Sequence, residues 1–475
     1  MLTRHLSDGT FTVRQVQSRK RAEMATKAKA GSSHVAAVAA VNEAIAAANP
    51  KLHAFVRTTP RSALAEAEAA DRRAGEGAPP RALEGVCIGI KDIIDVAGLP
   101  TGAGSLTRKD VAPAASDAHV VTRLRAAGAI IPGKTHTVEY AFGGWGTNIT
   151  VGTPWNPWDG KTHRTPGGSS SGSGVAVGAG ILTAALGTDT GGSVRLPASF
   201  CGCVGLKTSI GLVGRSGVVP LAESFDTIGP MAKDVATAAR MLAVMQGEDP
   251  LDDTTFGIRR ADPVDGLQSG IRGLRFARLA DKDMPLATAD VRKAFDGAVG
   301  KLADAGATIE TFQLPASLDD ITQHCGRLMA VEAYAHHRQF VDDPKSALHA
   351  NIRGRMAPGG TVLAADWLPM RAAWKREGQR FLKAMDRFDA LLLPTTPCTA
   401  QPVATVDEAL SPGGHTRFVN YLELCGLSVP MSVAPDGLPT SLQIVCRRLD
   451  DPLALRIGYA FEQARGAFPK PAVWW

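Results

Sequence analysis

Residues 166–174, PGGSSSGSG, and residues 187–195, GTDTGGSVR, are the two segments of this sequence in which glycine and serine are densest. A run of apolar residues joins them, so neither segment reads as an interdomain linker. Glycine lets the backbone turn sharply and brings N–H groups close to a bound atom, which the stabilisation of an oxyanion requires. The two segments therefore predict two tight turns of a catalytic site.

The apolar pattern around these turns alternates between helix and strand. Residues 83–96 are rich in β-branched side chains and predict a strand that ends near Lys91. A helix predicted over 117–128 is followed by a short strand at 129–131. Similar runs predict a helix over 289–306 and strands over 308–312, 390–393 and 442–445. This alternation is typical of an α/β architecture with a mixed or mostly parallel sheet.

Charge, cysteine content and hydropathy limit the expected partners and location. The formal net charge of +6 is spread along the chain without a long basic run, which predicts no nucleic-acid partner. The seven cysteines are odd in number and scattered, as is typical of reduced thiols in a cytoplasmic protein. Neither residues 1–30 nor the rest of the chain contain a run typical of a targeting or membrane-spanning segment. We therefore expect a cytoplasmic protein with no membrane partner.

Parts of the two glycine-rich segments also match motifs of two other enzyme classes. The G-x-S-x-G motif at 168–172 matches the nucleophile elbow of α/β-hydrolases, but the polar residues 158–165 do not predict the strand that precedes an elbow. This alternative stays open because five histidines could supply its base: His324, His336, His337, His349 and His415. The Asp-Thr-Gly triplet at 189–191 resembles an aspartic-protease loop, yet the second triplet that this chemistry needs is missing. Phosphate-binding loop motifs are missing too, so nucleotide binding is not predicted.

Lys91 is the candidate base, since it ends an apolar strand. A lysine works as a base only when neutral, and burial lowers its pKa toward the working pH. A single lysine at the end of a strand is nevertheless more often a solvated charge. The residues around Lys91 leave both interpretations open.

Other motifs of the chain favour the base over the solvated charge, because together they resemble a known enzyme family. Together they resemble the amidase signature family: GIKD at 89–92, GGSS at 167–170, GTDTGGS at 187–193 with Pro197, FCG at 200–202, GLK at 205–207, DTIGP at 226–230, PTTP at 394–397 and GLP at 437–439. The resemblance covers the chain from about Val35 to the C-terminus. The separation of Ser169 from Ser193 is also the family's separation between its two catalytic serines.

The resemblance implies a catalytic triad. Ser193 is the expected nucleophile, Lys91 the base, and Ser169, after a cis peptide bond with Gly168, the bridge between them. The oxyanion is expected to be bound by the backbone N–H groups of Thr190, Gly191, Gly192 and Ser193.

The resemblance also implies residues that support the triad. Ser170, Asp189 and Arg195 are expected to hold the nucleophile turn, with a contact between Asp189 and Arg195. A substrate pocket is expected to include Phe142, Gly143, Gly144 and Trp145, although Trp145 alone fits an ordinary core position equally well.

The implied fold is an amidase-signature α/β fold, one large domain with a central twisted mixed sheet covered by helices on both faces. Residues 76–475 are expected to form this domain, and residues 1–75 an N-terminal helical region packed on it, with its two helices separated at Asn49–Pro50. Residues 247–365 are expected to form a variable surface excursion.

The implied function is hydrolysis of a C–N amide bond through an acyl-enzyme on Ser193. The expected substrate is a small-molecule amide, a carboxamide or anilide, with esters and carbamates as related substrates, and the expected state is a monomer or homodimer. Neither a metal nor a cofactor is expected, because the Cys201-x-Cys203 pair lacks a second pair of ligands. Three alternatives remain: the glutaminase subunit of a tRNA-dependent amidotransferase, an α/β-hydrolase-type esterase, and a non-catalytic protein that kept the fold.

Overall fold

The computed structural model describes residues 33–474. The part of the predicted N-terminal region before Ser33, and the prediction of no targeting segment there, lie outside the described residues. The helices are α1 His34–Leu52, α2 Pro60–Gly75, α3 His119–Ala126, α4 Ser171–Gly178, α5 Arg195–Cys201, α6 Val235–Met245, α7 Ala289–Asp304, α8 Leu318–Val341, α9 Ala350–Met356, α10 Ala364–Ala384, α11 Arg417–Tyr421 and α12 Asp451–Arg465.

The strands all belong to one sheet. They are β1 Phe55–Thr58, β2 Ile88–Lys91, β3 Gly133–Thr135, β4 Ala184–Asp189, β5 Val204–Lys207, β6 Thr227–Ala232, β7 Arg275–Leu279, β8 Thr308–Phe312, β9 Ala390–Pro394, β10 Cys425–Val433 and β11 Pro439–Cys446. The order across the 11-stranded sheet is β1-β3-β2-β4-β6-β5-β10-β11-β9-β7-β8. Strand β2 is parallel to β3 and β4, whereas β4–β6 and β10–β11 are antiparallel pairs. The predicted mixed α/β sheet is confirmed.

Three clusters of buried apolar side chains lie among the described residues. Strands β4, β9 and β11 are buried along their whole length, as a sheet covered on both faces requires. The N-terminal helices α1 and α2 share a cluster with α4, in which Val38, Ile45 and Val175 are buried. No helix within residues 33–474 combines the length and the apolar character that a bilayer crossing needs.

Three local predictions differ from the structure. The strand predicted at 129–131 is reduced to an isolated bridge at Ile130, and the paired strand is β3 at 133–135. Helix α1 continues through Pro50 to Leu52, and the next residue, His53, takes a left-handed conformation with a φ of 50°. The sequence predicts a surface excursion over 247–365, whereas the structure places β7 and β8 of that interval in the sheet, because buried side chains such as Phe276 pack there.

The sheet brings the two glycine-rich turns to one edge. Strands β2 and β4 are parallel neighbours, with Ile90 opposite Leu186. Carboxyl ends of adjacent parallel strands lie at the same edge of a sheet. Lys91 at the end of β2 therefore lies beside Thr188, the penultimate residue of β4, which is followed after Asp189 by the 190–194 turn.

Candidate active site

Lys91 is enclosed completely and contacts hydroxyl groups. Its side chain is 0% exposed, and its Nζ donates to Ser169 Oγ at 2.7 Å and to Thr188 Oγ1 at 2.8 Å. Within residues 33–474 Lys91 has no ion-pair partner. Burial lowers the pKa of Lys91 to about 7, although the more distant carboxylates of Asp189 and Asp226 raise it. The amine is therefore neutral in a substantial fraction of molecules near neutral pH.

The turn that carries Ser169 is fixed by close backbone packing. The Gly168–Ser169 peptide bond is cis, as expected from the resemblance. The N–H of Gly168 donates to the carbonyl of Gly144 at 2.8 Å, and a Cβ on Gly168 would lie 2.6 Å from the carbonyl oxygen of Gly143. A larger residue than glycine would displace this backbone, so the turn needs glycine at position 168.

Ser193 lies beside this turn and faces a cavity. The N–H of Ser170 donates to the carbonyl of Ser193 at 3.1 Å, which joins the two glycine-rich turns directly. The Ser170 hydroxyl donates to the carbonyl of Thr188 at 3.2 Å and so ties the first turn to β4. The hydroxyl of Ser193 makes no hydrogen bond to the described part of the chain. It is therefore free to contact a bound molecule or Ser169.

Asp189 and Arg195 hold the nucleophile turn in place. The guanidinium of Arg195 donates to both carboxylate oxygens of Asp189, at 2.9 and 3.0 Å, and both side chains are fully buried. Burial raises the pKa of Asp189, but the Arg195 charge and hydrogen bonds more than offset this and hold it below its ordinary value. The expected contact between the two residues is thus observed, as a bidentate pair.

The same carboxylate changes the expected oxyanion site. Asp189 accepts hydrogen bonds from the N–H groups of Gly192, at 2.7 Å, and Val194, at 3.1 Å. The N–H of Gly192 is therefore already engaged, and its inclusion among the free oxyanion donors is wrong. The N–H groups of Thr190, Gly191 and Ser193 have no acceptor within the described residues and remain available.

The cavity in front of Ser193 has a volume of about 220 Å³. Three of the four residues expected in a substrate pocket line it, namely Phe142, Gly143 and Gly144. Trp145 does not line it, because its ring stacks on Phe200 with centroids 6.1 Å apart and its indole N–H donates to backbone carbonyls of the 407–410 loop. A larger cavity of about 600 Å³ adjoins it, since both are lined by Ala141, Thr190 and Leu221, and it does not include Ser193.

Several site residues escaped the sequence-based reasoning. Thr188 is the second partner of Lys91, and two amides from the C-terminal part, Asn420 and Gln443, accept hydrogen bonds from Arg195. Two arginines, Arg355 and Arg417, line the cavity. Both arginines lie far from the serines in sequence, and no motif around them connects them to the glycine-rich turns.

The α/β-hydrolase alternative does not fit the observed backbone. The G-x-S-x-G segment at 168–172 follows an irregular segment and enters α4, with no strand between β3 and α4. Of the candidate bases, His415 contacts the carbonyl of Pro394 and His337 the carbonyl of Pro220, and neither contacts a serine of the two turns. The geometry therefore lacks the serine–histidine pair of that class.

Comparisons with known proteins agree with the geometry. A model of the Amidase family matches residues 36–455. A glutamyl-tRNA(Gln) amidotransferase subunit of Geobacter metallireducens is 34% identical over 465 residues, which covers 91% of this chain and 94% of that protein. The structure of a peptide amidase from Stenotrophomonas maltophilia matches with a TM-score of 0.80 at 29% identity, covering 96% of this chain and 97% of the other. The corresponding amidotransferase subunit from Thermotoga maritima matches with a TM-score of 0.76 at 29% identity, covering 91% and 93%.

These relatives correct one expectation from the sequence. The prediction of a monomer or homodimer without a nucleic-acid partner is wrong, because the curated relatives are named as subunits of an amidotransferase that acts on a tRNA. The prediction rested on the missing basic run, and the charge pattern of one chain alone does not report such partners.

Proposed function

Because this chain belongs to the amidase signature family and is therefore an amide-hydrolysing enzyme, we propose that it cleaves a carboxamide through an acyl-enzyme on Ser193. One observation carries the proposal. The amine of Lys91 is fully buried, has no carboxylate partner in the described chain, and lies 2.7 Å from the hydroxyl of Ser169. Such an amine accepts a proton from a hydroxyl far more readily than a solvated lysine does.

The arrangement supports the following acylation step. Neutral Lys91 takes the hydroxyl proton of Ser169 while Ser169 takes that of Ser193, and Ser193 Oγ forms a bond to the carbonyl carbon. The negative charge that develops on the carbonyl oxygen is stabilised by the free N–H groups of Thr190, Gly191 and Ser193. The Asp189–Arg195 pair keeps these donors in position without touching the substrate.

The remaining steps release first ammonia and then the carboxylic acid. Ser169 returns a proton to the leaving nitrogen, the C–N bond breaks, and ammonia departs. A water molecule then gives its proton to the same relay, attacks the acyl carbon and frees Ser193, so that one carboxamide and one water give one carboxylic acid and one ammonia.

The relatives support a specific source of the ammonia and a specific molecule that receives it. We infer that the carboxamide is that of glutamine, and that the chain is the glutaminase subunit of a tRNA-dependent amidotransferase. Partner subunits then pass the ammonia to the glutamyl group of a tRNA. The similarity over nine-tenths of both chains to the Geobacter amidotransferase subunit supports this role, and a cytoplasmic location is part of the same proposal.

Depletion and add-back would test the proposal. An extract of the source organism, depleted of this chain, should lose the glutamine-dependent conversion of glutamyl-tRNA(Gln) to glutaminyl-tRNA(Gln). Added wild-type protein should restore the conversion, and Ser193→Ala should not. If the depleted extract keeps full conversion, the tRNA role is refuted, while reaction of the purified chain with a fluorophosphonate tests the Ser193 nucleophile separately.

A second candidate function is hydrolysis of a free small carboxamide. The superposition supports it, because the peptide amidase matches this chain with a higher TM-score than the Thermotoga amidotransferase subunit does. Steady ammonia release from simple amides by the purified chain, at rates comparable to those with glutamine, would favour this candidate.

A further inference from the structure

The larger cavity, of about 600 Å³, is not used by the reaction proposed above. The ammonia that leaves a carboxamide is about the size of a water molecule, which takes up roughly 30 Å³. The cavity of about 220 Å³ that contains Ser193 has room for the acyl part of a small substrate. The two cavities meet at Ala141, Thr190 and Leu221, which line both. A molecule bound at Ser193 can therefore extend into the larger cavity.

The larger cavity lies on the side of the proton relay. Thr188 lines it and does not line the cavity of Ser193. The hydroxyls of Thr188 and Ser169 both accept hydrogen bonds from Nζ of Lys91, at 2.8 and 2.7 Å. In the proposed mechanism Ser169 returns a proton to the leaving nitrogen, so that nitrogen faces Ser169 and Thr188. A group attached to the nitrogen therefore points into the larger cavity, while the acyl group stays beside Ser193.

Apolar side chains form much of the wall of the larger cavity. Ile93 and Ile228 are buried in this wall, Val218 is partly exposed, and Phe256 lies toward solvent with 52% of its surface exposed. Such a wall fits a hydrocarbon group, because the removal of apolar surface from water is favourable. The wall therefore favours an alkyl or aryl substituent on the leaving nitrogen.

The charged side chains of the larger cavity distinguish an amine from an acid. Four acidic residues and one basic residue line it: Glu223, Asp226, Asp252, Asp253 and Arg215. The guanidinium of Arg215 donates to both carboxylate oxygens of Asp252, at 2.9 and 3.1 Å, and is therefore already paired. An aliphatic amine is cationic near neutral pH, as the ordinary pKa of lysine shows. The lining therefore attracts a departing amine and repels a carboxylate, so the amine half of a substrate is its expected occupant.

We propose that the larger cavity binds the amine part of N-substituted amides, so that this enzyme also hydrolyses secondary amides of apolar primary amines. The inference rests on the proposed function, because it takes Ser193 as the nucleophile. Ser169 gives its proton to the amide nitrogen, the C–N bond breaks, and the primary amine leaves into the larger cavity. Water then frees the acyl group, so that one secondary amide and one water give one carboxylic acid and one primary amine.

Two amides with the same acyl group, pentanamide and N-butylpentanamide, test the larger cavity. Wild-type enzyme should hydrolyse both, with a kcat/KM for N-butylpentanamide at least equal to that for pentanamide, because the butyl group is buried in the cavity. Val218→Trp fills part of this cavity and should lower the ratio of the two kcat/KM values about 30-fold. Val56→Trp, at an exposed valine of β1, is the matched control and should keep the wild-type ratio. An unchanged ratio in folded Val218→Trp would overturn the proposal.

A measurement on the wild type alone guards against a misfolded variant. Butylamine added during pentanamide hydrolysis should capture the acyl-enzyme: its nitrogen attacks the acyl carbon, the bond to Ser193 Oγ breaks, and the proton of the amine returns to Ser193 through Ser169. The yield of N-butylpentanamide should reach a plateau as butylamine is increased, because the amine occupies a site before it reacts. A yield that rises in proportion to butylamine without a plateau would mean attack from solution and would contradict the site.

The fluorophosphonate reaction separates failure of this proposal from failure of the proposed function. If Ser193 reacts and N-butylpentanamide is not hydrolysed, the larger cavity is not a leaving-group site and the nucleophile stands. If Ser193 does not react and neither amide is hydrolysed, the proposed function fails instead.

Discussion

Two buried lysines on neighbouring strands show how surroundings set the role of a side chain. Lys91 of β2 and Lys134 of β3 are both 0% exposed, and the strands are paired so that Lys134 lies opposite Ile90. Lys134 Nζ lies 3.1 Å from a carboxylate oxygen of Asp92 and donates to the hydroxyl of Thr101 at 3.0 Å. Lys91 contacts two hydroxyls and no carboxylate.

This difference makes Lys134 a member of an ion pair and leaves Lys91 able to act as a base. Burial lowers the pKa of Lys134 below its ordinary value, and the adjacent carboxylate of Asp92 offsets part of that lowering. Burial lowers the pKa of Lys91 to about 7, and Asp189, one of the two carboxylates that raise this pKa, is neutralised by Arg195. A buried lysine thus becomes a base only where the neighbouring carboxylate is committed elsewhere.

The largest effect is expected from Lys91→Met, which replaces the amine by an apolar side chain of similar length. Loss of the base should lower kcat by about 10³–10⁴-fold, in the upper range for proton transfer by a positioned group. The thermal midpoint should not fall, because no buried charge is left unpaired. Turnover of glutamine and a calorimetric melt check both; near-normal turnover would remove Lys91 from the mechanism.

The matching substitution on the neighbouring strand, Lys134→Met, should lower the free energy of unfolding. It leaves the carboxylate of Asp92 buried without its partner, which destabilises the fold by about 3–5 kcal/mol. Denaturant unfolding should show this loss, while the fluorophosphonate reaction of the folded fraction stays within a few-fold of wild type. A stable Lys134→Met variant with lost turnover would contradict the division of roles.

The pH dependence of kcat/KM sharpens the comparison. The pKa of Lys91 is lowered from 10.5 to about 7, so the neutral base is present above pH 7 and is lost as the pH falls. The rate should therefore decrease about tenfold per pH unit below the pKa. A pH profile measured with pentanamide, which does not titrate in this range, should show this acidic limb, the decrease of the rate toward low pH, beginning near pH 7. A limb near pH 10 would mean that Lys91 is charged in the resting enzyme.

The smallest effect is expected from Asp226→Asn. The Asp226 carboxylate raises the pKa of Lys91. One of its oxygens accepts a hydrogen bond from Thr190, which an amide oxygen can still accept, and the other accepts from the N–H groups of Leu221 and Ala222, which an amide NH2 cannot. Removal of the negative charge should move the limb of the pH profile to lower pH by about half a unit. Arg371→Gln, far from the site in α10, should leave the limb in place. A shift to higher pH in Asp226→Asn would contradict the sign of the interaction.

Much of the site could be predicted because its motifs are local in sequence. The end of β2 at Lys91, helix α7, strand β8 and the cis bond before Ser169 agree with the sequence-based expectations. The glycine-rich turns set their own backbone path, so residues within them could be placed without knowledge of the rest of the fold.

The remaining features depend on contacts between distant segments. Arg417 and Arg355 reach the cavity from α11 and α9, which the sequence does not connect to the serines. The hydrogen bond from the Gly192 N–H to Asp189 depends on the geometry of the turn, which the spacing of residues in the sequence does not predict. The partner prediction is contradicted by the names of the relatives, and the net charge of one chain does not report such partners.

The pair formed by Asp189 and Arg195 also has a consequence during synthesis of the protein. Arg195 donates to the carbonyl of Thr416 and to the side chains of Asn420 and Gln443, all in the last 60 residues. A nascent chain that has left the ribosome only through β9 lacks these acceptors, and the guanidinium cannot be enclosed at that point. We therefore expect the nucleophile turn to reach its final arrangement only when translation is almost complete.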